Sequence, residues 1–300
     1  VNYNTDRIKG LPSTVSVSYK YSGKDAKEKT ARTSFMSGSD DLHTNGFFDG
    51  TGDGHILSAS VEMKNANKEK FYFSFKPKFT FNTKQNSFTN ASHTTMNADT
   101  LNSSVSTKFN EGRSAGTSGQ LDMGIMKLGG KEGRNLSLYA YYNFDNGDGV
   151  SGENSSTLLG DSTAVVSLLY DKKSSSSYLH SNISYVEPLG EKWVLQVGTS
   201  GSWSSSRSDN IATNGLDGTY NDYYTNITDN ESAVLSGGVT TQYRSGNHNL
   251  SFGFSANMNE NVNYVKNLGT ETTAGKGEWQ FTLAPDLDYS YSKDSFSTYV

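Results

Sequence analysis

Residues that could bind a metal ion are few in this chain and lie far apart. The histidines lack the short spacing of a zinc site; they are His43, His55, His93, His180 and His248. Residues 49–54, Asp-Gly-Thr-Gly-Asp-Gly, carry part of a calcium-loop pattern in which Asp49 and Asp53 would be ligands. Ser60 stands where that loop needs a bidentate glutamate, so a glycine-rich loop tip is the favoured interpretation. The sequence predicts no metal site and no cofactor.

Catalytic and ligand-binding candidates are also few. Serines lie near carboxylates in many places, but a serine-rich chain produces such neighbours by chance, and no triad stands out. The chain is therefore predicted not to be an enzyme. Tyr220, Tyr223 and Tyr224 lie in a polar stretch predicted as an outer loop, where their rings could stack on a sugar or an aromatic ligand. Simple packing of the loop is the alternative role for these tyrosines.

The elements that must position these residues are strands, and residues 71–81 show the pattern best. Their sequence is Phe-Tyr-Phe-Ser-Phe-Lys-Pro-Lys-Phe-Thr-Phe, so every second residue from Phe71 to Phe81 is apolar. A helix would scatter these side chains around its circumference, whereas a strand places them on one face. One face therefore requires an apolar environment and the other requires water. The length matches a strand that crosses a bilayer at a tilt.

The composition agrees with such strands and disagrees with a large soluble core. Only 33% of the 300 residues are hydrophobic, whereas a globular domain draws nearly half of its residues from the apolar set. The 15 Phe, 18 Tyr and 3 Trp argue against disorder. The absence of cysteine excludes a disulfide scaffold. A net charge of -5 without a basic block does not indicate nucleic-acid binding.

Similar alternating segments recur along the chain as hairpins, with about ten complete strands and a fragment at each end. Short turns are predicted near residues 66, 131, 189, 246 and 293. Polar stretches are predicted as long loops and cover residues 23–53, 83–117, 145–177 and 207–231. Antiparallel pairing would place the short turns at one end and the long loops at the other, which is typical of an outer-membrane barrel. Nothing in a soluble β-sandwich imposes this alternation of connection lengths, and no motif repeats as it would in a propeller or solenoid.

Aromatic residues provide a second indication of a membrane barrel. They lie close to short turns, on the apolar face of their strands, at Phe71, Tyr185, Trp193, Tyr243 and Tyr291. Membrane barrels carry aromatic girdles at the two interfaces. The predicted fold is therefore an all-β, antiparallel transmembrane β-barrel. Because the chain begins and ends in strand-like sequence, residues 1–300 are interpreted as part of one barrel domain of a longer protein.

Three stretches resemble the outer-membrane β-barrels of TonB-dependent receptors. They are residues 130–138 (Gly-Lys-Glu-Gly-Arg-Asn-Leu-Ser-Leu), 184–190 (Ser-Tyr-Val-Glu-Pro-Leu-Gly) and 284–293 (Ala-Pro-Asp-Leu-Asp-Tyr-Ser-Tyr-Ser-Lys). That resemblance implies a barrel of about 22 strands with a plug domain upstream. It also implies energised uptake of a nutrient ligand (a siderophore, glycan or peptide), with the inner-membrane TonB complex and a surface lipoprotein as partners. Neither the plug nor a TonB-contacting segment is present in these residues.

Three other functions remain open from the sequence. A passive pore, or a purely structural outer-membrane barrel, would need no plug. An outer-membrane enzyme would need a nucleophile and a base close together near one rim. A soluble adhesin is the alternative that places no strand in a membrane.

Overall fold

The computed structural model describes residues 2–8, 11–35, 40–64, 71–96, 99–159, 162–274, 277–293 and 296–299. Within these ranges the chain forms one antiparallel sheet of thirteen strands and one short 3-10 helix, Leu128–Gly130. The strands are β1 (Asn2–Ile8), β2 (Leu11–Phe35), β3 (Asp40–Lys64), β4 (Phe71–Met96), β5 (Asp99–Met126), β6 (Asn135–Leu159), β7 (Ser162–Pro188), β8 (Trp193–Asn214), β9 (Asn226–Ser245), β10 (His248–Asn267), β11 (Thr270–Ala274), β12 (Gln280–Lys293) and β13 (Phe296–Tyr299). The all-β antiparallel prediction is confirmed.

The topology is a meander, because nearly every strand pairs with its neighbours in sequence. The order runs from β1 through β10 to β12 and β13, with β11 paired to β10 beside this path. Ten of the strands, β2 to β10 and β12, are 14 to 28 residues long and correspond to the ten complete strands predicted. Strands β1 and β13 form the two edges.

The predicted long loops are wrong, because most of their residues continue the strands. Lys24 pairs with Gly52, Glu111 with Val150, and residues 147–159 of β6 pair with 162–174 of β7. Only two residues separate the end of β4 from the start of β5. Both faces of these segments are polar, so the apolar alternation stops although the hydrogen-bonded ladder does not.

The short turns at the other end agree with the sequence where the structure describes them. Residues 127–134 contain the 3-10 helix, residues 189–192 connect β7 to β8, and residues 246–247 connect β9 to β10. Glycines 129, 130, 133 and 246 adopt positive φ in these turns, a conformation that favours glycine. The turns predicted near residues 66 and 293 lie outside the described residues or at their margin.

One face of the sheet is apolar through a band that crosses ten strands. One row of this band, in register from β2 to β12, consists of Val15, Val61, Phe75, Leu121, Ala140, Ser181, Gly201, Leu235, Met258 and Phe281. We call the band the apolar belt; on β4 it runs from Phe71 to Phe81. Those 11 residues span about 34 Å along the strand, or roughly 24 Å at a 45° tilt.

Aromatic side chains border the belt on both sides. At the rim beside the short turns, the rings of Trp193 and Tyr243 lie 4.8 Å apart. At the opposite rim, His55 lies 5.2 Å from Tyr21 and 6.2 Å from Phe81. The aromatic positions predicted near the turns therefore include a cross-strand pair, and the sequence analysis did not identify the second rim.

The belt is not covered by a second layer in the described chain. Side chains in it are strongly exposed, including Phe281 (63%), Leu283 (60%) and Leu287 (65%). Among the residues whose burial the structure describes, those buried apart from glycines are Ser151, Leu168, Ala212 and Thr225, and none belongs to the belt. No helix in the described ranges is long and apolar enough to cross a membrane. The described part of the chain therefore consists of one sheet with a wide apolar face and no interior core.

Candidate functional site

The face opposite the belt, which we call the polar face, carries hydroxyl, amide and charged side chains. The Ser16 and Ser60 hydroxyl groups lie 2.6 Å apart, and Lys76 forms a 3.1 Å ion pair with Glu62. Near the middle of the sheet, the rings of Tyr139 and His180 have centroids 6.0 Å apart. A surface of this kind can be wetted along its whole length, and it can form hydrogen bonds with polar solutes.

Two glycines allow neighbouring strands to approach closely where the strands extend beyond the belt. A Cβ atom added to Gly149 would lie 2.3 Å from the carbonyl oxygen of Glu111 and 2.9 Å from the Cα of Gly112. Such a distance is far below van der Waals contact, so only glycine allows the two strands to approach in this way. Gly112 and Gly149 are direct register partners, so neither strand places a side chain at this point of the sheet.

Three lysines lie in one register row with these glycines. From β2 to β8 the row consists of Lys24, Gly52, Lys84, Gly112, Gly149, Lys172 and Asn210. We call this set the lysine row. Glycines separate the lysines, so no side chain fills the space between Lys84 and Lys172. A cavity of about 620 Å³ opens there, and Asn82, Asn110, Ser174 and Asn210 contribute to its lining.

Sequence reasoning missed the lysine row. The lysines are far apart in the chain, and each lies in a stretch predicted as a loop. Only the register of six consecutive strands brings Lys24, Lys84 and Lys172 into line.

Residues 215–225 connect β8 to β9, and this longest described connection is tightly joined to the sheet. The Gly215 amide donates to the Ser167 carbonyl (2.9 Å), and the Asn221 amide donates to the Ala212 carbonyl (2.9 Å). The Ala212 amide in turn donates to the Thr225 hydroxyl (3.1 Å). This connection, which we call the tyrosine loop, is therefore an ordered element.

The tyrosine loop packs against the polar face. Ser151, Leu168 and Ala212 lie on that face in register positions of β6, β7 and β8, and each is buried. Thr225 of the loop is also fully buried. Since the rest of the sheet is a single layer, the burial at this point comes from the loop. The loop therefore covers part of the outer end of the polar face.

The three tyrosines predicted as ligand-binding residues lie on this loop and remain exposed. The exposed fractions are 53% for Tyr220, 56% for Tyr223 and 44% for Tyr224. The rings of Tyr223 and Tyr224 meet edge to face at 5.1 Å and 88°. The Tyr220 hydroxyl donates to Asp222 (3.0 Å), and Lys266 of β10 forms a 2.7 Å ion pair with that carboxylate. Their role in ligand binding stays a prediction.

The two aspartates considered for calcium do not converge. Asp49 and Asp53 lie within β3, four residues apart, so the loop tip predicted for residues 49–54 is wrong. Asp49 forms a 3.4 Å ion pair with Lys27, and Asp53 accepts a 2.7 Å hydrogen bond from the Tyr21 hydroxyl. Among the described residues, no group of three or more His, Asp or Glu side chains could hold a metal ion.

Two of the motifs that resemble TonB-dependent receptors contact each other at the turn end of the sheet. Glu187 accepts hydrogen bonds from Arg134 Nε (2.6 Å) and Lys131 Nζ (2.6 Å), and also from the Tyr185 hydroxyl. These donors, Arg134 first, hold the pKa of the Glu187 carboxyl well below its usual range. Lys131 also donates to the carbonyl of Pro188. We call this group the turn clamp. It joins the turn before β6 to the end of β7, so the two motifs have a local structural role.

Comparisons with known proteins find similarity at the level of solved structures. No family model matches the chain, and no curated protein matches it. The chain is similar to the outer membrane protease OmpT from Escherichia coli, at 12% sequence identity and a TM-score of 0.29, over 96% of this chain and 98% of that one. At this identity and TM-score, the activity of the protease is not transferred to this chain.

Two predictions are corrected by this comparison. The solved structure is an outer-membrane protease and not a TonB-dependent receptor, so the prediction of TonB-dependent nutrient uptake is wrong. The prediction that the chain is not an enzyme is withdrawn with it, because the solved structure is that of a protease. The TonB complex, a nutrient ligand, a surface lipoprotein, an upstream plug and a barrel of 22 strands gain no support.

Proposed function

We propose that the chain forms the wall of a β-barrel in the bacterial outer membrane. The apolar belt lies against lipid, and the polar face lines a water-filled lumen that gives polar solutes a passive route. Beyond the belt, the extended strands continue this wall outside the membrane.

The observation that carries this proposal is the belt itself. It crosses ten strands, its large side chains are exposed, and aromatic rings border it on both sides. A soluble monomer rarely exposes an apolar patch of more than a few hundred Å². The estimated height of roughly 24 Å agrees with the apolar band of about 25 Å on membrane barrels.

The arrangement of the strands argues against a soluble sandwich. A sandwich buries the inner faces of two sheets against each other. Here the described strands belong to one sheet, so the belt has no second sheet to cover it. Lipid is the apolar environment that such a face requires. Closure into a barrel would also remove the two unpaired edges, which a bilayer does not tolerate.

Conductance measurements test the proposed passage. The protein, purified in detergent from outer membranes in the form that cells assemble, should add stepwise conductance to a planar lipid bilayer in potassium chloride. Boiled protein from the same preparation is the control, since unfolding destroys the lumen. Correctly folded, heat-modifiable protein that inserts but never conducts ions would refute the water-filled route.

A further inference from the structure

We propose that the lysine row binds small polyanionic solutes at the outer mouth of the lumen. Such solutes carry two or more phosphate, sulfate or carboxylate groups. This inference rests on the proposed function, because it requires that the polar face be in contact with water inside the barrel.

The geometry of the row suits a ligand that bridges strands. Lys84 and Lys172 are separated by the two glycine positions of β5 and β6, which is three strand spacings or about 14 Å along the sheet. Gly112 and Gly149 leave the space between the two lysines free of side chains. Their flexible four-carbon stems allow the ammonium groups to reach one solute in the cavity between them.

The charge of the row is not neutralised by the protein. Among the side chains that the structure describes, no carboxylate forms an ion pair with Lys24, Lys84 or Lys172, whereas other lysines such as Lys27 and Lys108 have one. Lys172 has only a 3.4 Å hydrogen bond to the Asn110 side chain. The whole chain is acidic, with a net charge of -5, so a free basic row is a local feature.

Carboxylates near the cavity already have partners. Three acidic residues border it, Glu111, Asp148 and Asp209, and strand alternation assigns each to the opposite face. Glu111 accepts a hydrogen bond from Gln85 (2.5 Å), Asp148 from Arg113 (2.9 Å) and Asp209 from Arg207 (3.0 Å).

Neutral groups of the cavity can complete the coordination of an anion. The amide nitrogens of Asn82 and Asn110 and the hydroxyls of Ser114 and Ser174 lie in its lining. Each can donate to an anionic oxygen, and hydrogen bonds to charged groups are stronger than those between neutral groups. The lysines attract the anion by their charge, and the amides orient it by directional hydrogen bonds, as a polyanion site requires.

Calorimetric titration with inorganic tripolyphosphate at low salt tests the proposal in the protein purified in detergent. Wild-type protein should bind the probe, and the affinity should fall as salt is added, because salt screens exposed charges. Replacement of one lysine, in Lys84→Gln or Lys172→Gln, should weaken binding about tenfold, the loss expected for one charge-assisted hydrogen bond.

Lys78→Gln is the matched control. Lys78 lies on the same face of β4 as Lys84 and has the same charge, but it is six residues away and does not line the cavity. Its replacement should leave tripolyphosphate affinity unchanged within twofold. Absence of binding to wild-type protein, or an equal loss in Lys84→Gln and Lys78→Gln, would overturn the proposal.

Failure here is distinguishable from failure of the proposed passage. Tripolyphosphate binding is measured without a membrane and does not need ion flow. A conducting protein that does not bind the probe refutes only the polyanion site. A protein that binds the probe at the lysine row but never conducts refutes only the passive route.

Discussion

Leu138 and Tyr139 provide the sharpest test of the assignment of the two faces. The two residues are adjacent in β6, yet their neighbours differ completely. Leu138 pairs with Met123 and Ile183 in the apolar belt. Tyr139 pairs with Asp122 on the polar face and its ring lies 6.0 Å from that of His180. Arginine introduced at each position should therefore have very different consequences.

The expected magnitude follows from the depth of Leu138 in the belt. Leu138 is level with Phe73, one alternation inside the end of the belt at Phe71. Arginine on the lipid face costs about 2–4 kcal/mol near the bilayer midplane and about 0–1 kcal/mol near the interfaces, so about 1–2 kcal/mol is expected at this depth. That is roughly a 5- to 30-fold change in the ratio of folded to unfolded protein. At position 139 the arginine would lie in water beside the Asp122 carboxylate, so Tyr139→Arg should cost far less. The assay is equilibrium unfolding in urea of each variant folded into lipid vesicles, with heat-modifiability on gels as the check of assembly.

Loss of stability alone does not prove contact with lipid, because a buried soluble core would also reject arginine. A nitroxide at position 138 should be relaxed mainly by lipid-soluble oxygen, whereas one at position 139 should respond to a water-soluble nickel reagent. If both labels report the same environment, or if the two arginine variants are equally unstable, the belt is not a lipid-facing wall.

Three further predictions concern the two ends of the sheet. Glu187→Gln should remove the pH dependence that the turn clamp gives to the free energy of unfolding. Because folding lowers the pKa of Glu187, its carboxylate stabilises the folded state above the ordinary pKa of about 4.3. This stabilisation declines as the pH falls below that value. The difference in unfolding free energy between wild type and variant, measured by denaturation from pH 7 down to pH 3, should therefore shrink, and a constant difference would contradict this role. An epitope inserted at Gly218, at the tip of the tyrosine loop, should be reachable by antibody on intact cells, and one at Gly130 only after the outer membrane is broken; the reverse pattern would invert the orientation. Tyr223→Ala should lower the affinity of the loop for any sugar that binds it, whereas Tyr72→Ala on the polar face of β4 should not. The affinity is measured by intrinsic fluorescence across a set of soluble glycans, and equal effects of the two substitutions would indicate that the loop tyrosines only pack.

The strands of the belt could be predicted from sequence because one of their faces is apolar. In residues 71–81 a period of two separates phenylalanines from polar residues, and the structure places them on opposite faces. The same reasoning failed for residues 83–117, where both faces meet water. Serine, threonine, asparagine and glycine there fit either a loop or a two-sided polar strand, and only the pairing of β4 with β5 decides between them.

The candidate site was less predictable than the fold, for a related physical reason. The tyrosine loop lies inside the polar stretch 207–231 that was predicted as a loop, although β8 and β9 extend into that stretch from both sides. The lysine row depends on the register of successive hairpins, since a shift of one residue in any strand would move its lysine to the other face. Lys172 and Lys173 illustrate this: the sequence shows two adjacent charges, and only the ladder assigns one to each face.

Beyond the belt no apolar face is present to fix the register of the strands. Strands that are polar on both sides specify their pairing weakly. In the extensions beyond the belt, opposite charges are direct register partners on neighbouring strands: Lys27 with Asp49, Lys108 with Glu153, Arg113 with Asp148 and Arg207 with Asp229. Each exposed pair contributes little to stability. A slip of one residue would nevertheless separate the partners and send their side chains to opposite faces, so the set discriminates between registers more than it stabilises any one of them. The belt sets the register inside the apolar layer, and these ion pairs continue it outward to the level of the lysine row.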